Sequence, residues 1–187
     1  MPDTGNDNKR LPPPLTAARL ERAGLDYLAR FAASAAQLRR VLMRRVRRSA
    51  QAHGTDPAEL AAITEALIAR WIAAGVLNDA GYAEAKAVSL HRHGMPKARI
   101  AAKLHEKGVD RDVIDQVLTQ DPVLGDNRAA ALALARRRRL GPYRLPELRA
   151  ASYQKDLGIL ARAGFDRRTA LIVLDAENPE AVPGAED

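Results

Sequence analysis

Arginine is the residue through which this chain could act. Arg39, Arg40, Arg44, Arg45, Arg47 and Arg48 fall within a stretch, Phe31 to Thr55, that holds no acidic residue. Arg136, Arg137, Arg138 and Arg139 form a second, uninterrupted run. A guanidinium presents a planar fork that pairs bidentately with phosphate or carboxylate, so the chemistry these clusters support is recognition of anions. Side chains that transform a substrate are harder to assemble. His91 and His93 lie two apart on an expected helix, point to different faces and cannot chelate together, and His53 and His105 stand alone. Asp56, Glu59, Asp79 and Asp110 coincide with helix starts, where capping and the helix dipole account for them. No glycine-rich phosphate loop, nucleophile elbow or zinc spacing occurs. The sequence reads as that of a non-enzyme with no cofactor.

Composition points the same way. The 187 residues hold 30 Lys and Arg against 23 Asp and Glu, a formal net charge of +7, which suits a polyanionic partner, nucleic acid or acidic protein surface. Only 4% of the residues are aromatic, and Tyr82, Tyr143 and Tyr153 make no evident stacking platform, so base-specific readout is not indicated. With no cysteine there are no disulfides, thiol catalysis or thiolate metal sites. No apolar run approaches the ~20 residues a membrane helix needs, and a cytoplasmic monomer is expected.

Helices must position the arginines. Alanine and arginine favour helix and no stretch shows sustained period-two alternation, so the expected fold is all-α. A helix-turn-helix unit occurs twice, 56 positions apart: Leu104 to Arg111 running on to Val117-Leu118, and Leu160 to Arg167 running on to Val173-Leu174. In each, a glycine can end one helix in the left-handed conformation, the next apolar residue can fold back on the last turn, and an aspartate can cap the following helix. Repetition of this kind signals tandem helical modules.

The punctuation predicts nine helices in three groups of three. Residues 1–14 read as a disordered leader. The first group covers 15–77, with helices over Leu15–Phe31 and Ala35–Arg48, a polar loop at 49–55, and a third helix opened by Asp56-Pro57-Ala58-Glu59. The second covers 78–121, and the third covers 122–177 with a helix over Val123–Leu140. Residues 178–187 read as a disordered acidic tail. On the second helix Leu38, Val41, Leu42 and Val46 face inward; Arg40, Arg44 and Arg47 share one outer face, and Arg45 and Arg48 share its neighbour. At the end of the seventh helix, Arg136 to Arg139 sweep all faces.

Gly75-Val76-Leu77-Asn78-Asp79, followed by Tyr82-Ala83-Glu84, resembles a signature of the RecX family of recombinase regulators. Leu25–Phe31 with Ser34–Leu42, Gly94–Leu118, and Gly164-Phe165 with the following helix resemble its three repeats in order. The segment 49–55 replaces a short Lys/Arg-Gly turn, and the region of Gly141-Pro142-Tyr143 also departs from the family pattern. The resemblance implies an elongated, curved array of three tandem three-helix repeats that binds the RecA recombinase filament on DNA and restrains its ATP hydrolysis and strand exchange. It assigns no individual site residue. A DNA-binding helical module that touches the backbone without sequence preference, and without a recombinase, remains the alternative.

Overall fold

The computed structural model describes residues 13–182, and the secondary structure of the described residues is entirely helical. Among the described residues ten α-helices follow one another: α1 (Ala17–Leu28), α2 (Ala35–His53), α3 (Pro57–Ala73), α4 (Asp79–Arg92), α5 (Lys97–Glu106), α6 (Arg111–Gln120), α7 (Pro122–Gly125), α8 (Asn127–Arg138), α9 (Pro146–Ala163) and α10 (Arg167–Leu174). The chain divides into two compact units, residues 1–77 and 78–187.

The first unit is a three-helix bundle. Leu20 of α1, Leu38, Leu42 and Val46 of α2, and Leu67, Ile68 and Trp71 of α3 form its core, closed by Leu77. Close contact between α1 and α3 depends on Gly24. A Cβ there would lie 2.4 Å from the Trp71 ring, so only glycine leaves room for the indole against α1. The second unit holds two further core clusters. One joins Ala83 and Ala87 of α4 to Ile100 and Leu104 of α5 and Ile114, Val117 and Leu118 of α6. The other joins Ala130, Ala131 and Leu134 of α8 to Leu160 of α9 and Ala170, Val173 and Leu174 of α10. Alanines supply much of both interiors, so helix axes can approach closely.

The repeated turn forms as its residues require. Val109 donates its N–H to the Leu104 carbonyl at 3.1 Å, and Phe165 donates to the Leu160 carbonyl at 3.2 Å, each across a glycine with positive φ. Both apolar residues are buried, at 2% and 5% exposure, which is the hydrophobic closure of a Schellman motif. Asp110 then accepts from the Asp112 N–H, and Asp166 accepts from the Thr169 N–H at 2.8 Å and from its hydroxyl at 2.7 Å. These aspartates cap the helices that follow.

Several sequence expectations need correction. Residues 49–53 of the segment expected as a loop are helical, and only Gly54 and Thr55 lie outside helix. Helix α2 continues through Ser49, Ala50, Gln51 and Ala52 to His53, and Gly54 stops it with a φ of 65°. The alanines and Gln51 favour helix, and the Ser49 hydroxyl accepts a hydrogen bond from the Leu15 N–H at 3.0 Å, so a residue read as a loop former holds Leu15, just ahead of α1, against α2. Phe31 lies beyond α1 and is 54% exposed, resting against Tyr27 at a 5.1 Å ring separation rather than joining the core. The helix expected over Val123–Leu140 breaks at Asp126, which caps α8, and the short α7 ahead of it buries Leu124 in the α4–α6 core. Ten α-helices among the described residues thus replace the nine expected. Of the two histidines expected on different faces of one helix, His91 is the buried one: it is 5% exposed and its Nε2 lies 3.1 Å from the Asp126 carbonyl oxygen. Residues 178–182 of the expected tail are ordered in a 3-10 turn that buries Val182 against the α8–α10 core, while 183–187 and most of the expected leader, 1–12, lie outside the described residues.

Candidate partner-binding surfaces

Helix α2 sorts its side chains by charge. Leu38, Leu42 and Val46 are fully buried, Val41 is half-buried, and Arg40, Arg44, Arg45, Arg47 and Arg48 are exposed. The burial of one apolar stripe fixes the rotation of the helix, and that rotation sets the arginines outward. Arg39 is the exception. Its Nε donates to both carboxylate oxygens of Glu65 on α3, at 2.8 and 2.9 Å, so this guanidinium ties α2 to α3 across the bundle. A pair this exposed, 42% and 53% by side chain, adds little stability, but it removes Arg39 from the set available to a partner. Arg70 is paired with Glu21 in the same way. Among the described residues no carboxylate pairs with Arg44, Arg45, Arg47 or Arg48. Like charges at i, i+3 and i, i+4 repel, so the ridge carries electrostatic repulsion that an anion would relieve.

The run Arg136 to Arg139 is divided by the backbone. Arg136, Arg137 and Arg138 occupy the last turn of α8, where cations favourably meet the helix dipole. Arg139 follows in the left-handed conformation, φ 55° and ψ 54°, and is the one non-glycine residue with positive φ among those described. It fills the position that Gly75, Gly94, Gly108 and Gly164 hold at other helix ends, and the buried Leu140 donates its N–H to Ala135 at 2.9 Å to close the motif. This reversal separates the side chains. Arg137 and Arg138 line a cleft of about 400 Å³ with Arg99 of α5 and Arg162 of α9, whereas Arg139 lines a different groove with Tyr143, Leu145 and Leu148.

Sequence reasoning missed Arg99 and Arg162 because neither belongs to a cluster along the chain. Packing brings them together. The turn ending α4 places Gly94 against the backbone of α8: a Cβ at this glycine would lie 2.7 Å from the Leu134 nitrogen. The turn ending α9 sets Gly164 against Pro96 and Arg99. The only available signal was that glycines end both helices, and this does not reveal which residues those turns meet.

Beyond Arg139 an ion pair, buried on its aspartate side, holds the departure at Gly141. Asp156 on α9 is 1% exposed, accepts from Arg144 Nη2 at 2.7 Å and Nε at 3.0 Å, and also accepts from the Gly141 N–H. The bond to Asp156 holds the Arg144 guanidinium above its ordinary pKa. At the junction of α7 and α8 the bidentate Arg128 holds the Asp126 carboxyl below the usual range, against the opposing effect of burial. Tyr153 donates to Asp175 at 2.6 Å, which pushes its phenol up. Each pairing has a structural role, and no group of three or more residues suited to hold a metal ion occurs among the described residues. No described helix is long and apolar enough to cross a membrane.

Comparison with known proteins accounts for this architecture. The family model for the second three-helix domain of RecX matches residues 78–118, which span α4 to α6. The chain is 44% identical over 161 residues to a protein named "Regulatory protein RecX" from Myxococcus xanthus, covering 86% of each chain. It is 32% identical over 145 residues to the protein of that name from Agrobacterium fabrum, covering 78% of this chain and 76% of the relative. The protein of that name from Mycobacterium avium is 34% identical over 145 residues, with 74% and 80% covered. The all-helical fold, the repeated turns and these similarities together show that the chain belongs to the RecX family of regulatory proteins.

Proposed function

We propose that this protein regulates a RecA-type recombinase by binding its filament on DNA, lowering ATP hydrolysis and strand exchange, with the α2 arginines as contacts. Membership of a family of regulatory proteins supports the role, and the observation that carries the surface is the exposed, unneutralised face formed by Arg44, Arg45, Arg47 and Arg48. Arg40 belongs to the same exposed ridge, and Arg136 to Arg139 supply further cations in the second unit. Arg39, held by Glu65, has a structural part instead. The protein acts by occupancy, with no turnover of its own. A filament presents many copies of one anionic surface, so weak ion contacts accumulate through multivalency and favour the assembled polymer over free subunits.

Co-sedimentation with recombinase filaments, alongside ATPase and strand-exchange assays, tests this reading. The triple variant Arg44→Ala, Arg47→Ala, Arg48→Ala should keep its melting temperature and bind filaments at least tenfold more weakly. Wild-type protein that leaves both activities unchanged at low salt sinks the reading. The alternative, a sequence-neutral DNA-binding module that needs no recombinase, is favoured by the basic cleft of the second unit. It requires equal affinity for bare DNA and for filaments.

A further inference from the structure

We propose that the cleft between the α4–α5 turn, the end of α8 and the end of α9 is a phosphate-binding site that grips the backbone of a nucleic-acid strand. It is lined by Arg99, Arg137, Arg138 and Arg162 together with Met95 and Ile159, and no carboxylate lines it. All four arginines are exposed, and none is paired with an acid among the described residues. Four cations brought from three helices around one concavity repel one another unless an anion sits between them. The fold nevertheless gathers them around one cleft, because Gly94 lacks the Cβ that would clash with the α8 backbone at Leu134, and Gly164 ends α9 beside Arg99.

The lining selects the class of ligand. It contains no Phe, Tyr or Trp, and its one ring, the His93 imidazole, is tied to the Ser89 carbonyl oxygen at 2.6 Å, so charge and not a stacking platform dominates the cleft. Guanidinium forks match the paired oxygens of a phosphodiester bidentately. The first N–H of α5, that of Lys97, is already taken by the Asn127 side-chain oxygen at 2.9 Å, so the arginines and not the helix terminus hold the ligand. Successive phosphates along a strand suit a site that gathers arginines from three helices. This site deepens the DNA half of the proposed function and rests on that half, but it involves neither the α2 ridge nor a recombinase.

The test uses the full chain without recombinase and a fluorescent single-stranded oligonucleotide of about 20 nucleotides, read by anisotropy across a salt series. The double variant Arg99→Ala, Arg162→Ala should bind about tenfold more weakly at low salt. The magnitude of its log–log salt slope should fall by about 1.4, the loss of two single-strand phosphate contacts. Arg99→Lys, Arg162→Lys should recover part of the affinity, and an uncharged methylphosphonate oligonucleotide should bind wild type and double-alanine variant equally poorly. Thermal melting verifies that each variant is folded. Unchanged affinity and slope in the folded double-alanine variant overturn the assignment. So does loss of binding to polyglutamate or recombinase filaments with DNA binding intact, which makes the cleft a site for acidic protein. Failure of recombinase inhibition alone counts against the proposed function and leaves this result standing.

Discussion

Single residues in this chain show where conformational strain and burial have been accepted. Arg139 holds a backbone conformation that a side chain makes unfavourable by about 1–2 kcal/mol, at a helix end where glycine serves elsewhere in the same chain. Arg139→Gly should therefore raise stability by about 1 kcal/mol in urea unfolding. If the guanidinium is also a contact, the variant should bind recombinase filaments less well. A loss of stability would mean that the side chain contributes more packing than the strain removes. Asp156 presents the opposite case. It is nearly inaccessible, and its removal would strand the Arg144 guanidinium and the Gly141 N–H together. Because Arg144 keeps 22% of its side chain exposed, Asp156→Ala should cost less than loss of a fully buried pair, about 2–3 kcal/mol in urea unfolding. Unchanged stability would show that water replaces the carboxylate at both donors.

At the scale of elements, the repeated turn is the feature most legible in the sequence. Leu160, Gly164, Phe165 and Asp166 each do in the structure what their types suggest, because a Schellman motif and its following cap are local and need only neighbours along the chain. The Asp166 cap allows a pH prediction. Bonds from the Thr169 N–H and hydroxyl hold its carboxyl below the usual range, so the group stabilises the native state fully above the unfolded value of about 3.9, and that contribution disappears as pH falls through the native value. Asp166→Ala should cost about 1 kcal/mol at neutral pH, and its melting temperature should converge on that of the wild type under acid. A gap that stays constant down to pH 2 would assign the effect to packing. Where partners come from distant elements, legibility failed. Ser49 looked like loop because its acceptor role depends on Leu15, and Arg39 looked available because Glu65 is 26 positions away. Residues on α5 and α9 meet α8 only through packing, so Arg99 and Arg162 gave no signal.

For the whole molecule, the bulk charge was readable and its distribution was not. A surplus of 30 cationic over 23 acidic side chains gives +7, but part of each set cancels locally: Arg39 with Glu65, Arg70 with Glu21, Arg128 with Asp126, Arg144 with Asp156. What remains outward includes Arg44, Arg45, Arg47 and Arg48 in the first unit and Arg99, Arg137, Arg138 and Arg162 in the second. If about six of these meet phosphates on duplex DNA at once, counterion release sets a log–log salt slope near −5, and affinity should fall about 10³-fold between 50 and 200 mM salt. Each contact removed from either unit should reduce the steepness by about 0.9. Losses from both units would mean that each of them contributes phosphate contacts to the same complex. A slope that responds to the α2 variants alone would confine DNA to the first unit and leave the second for protein. Binding that barely changes with salt would defeat the electrostatic account entirely, since exposed arginines have no other means of holding a polyanion without base contacts.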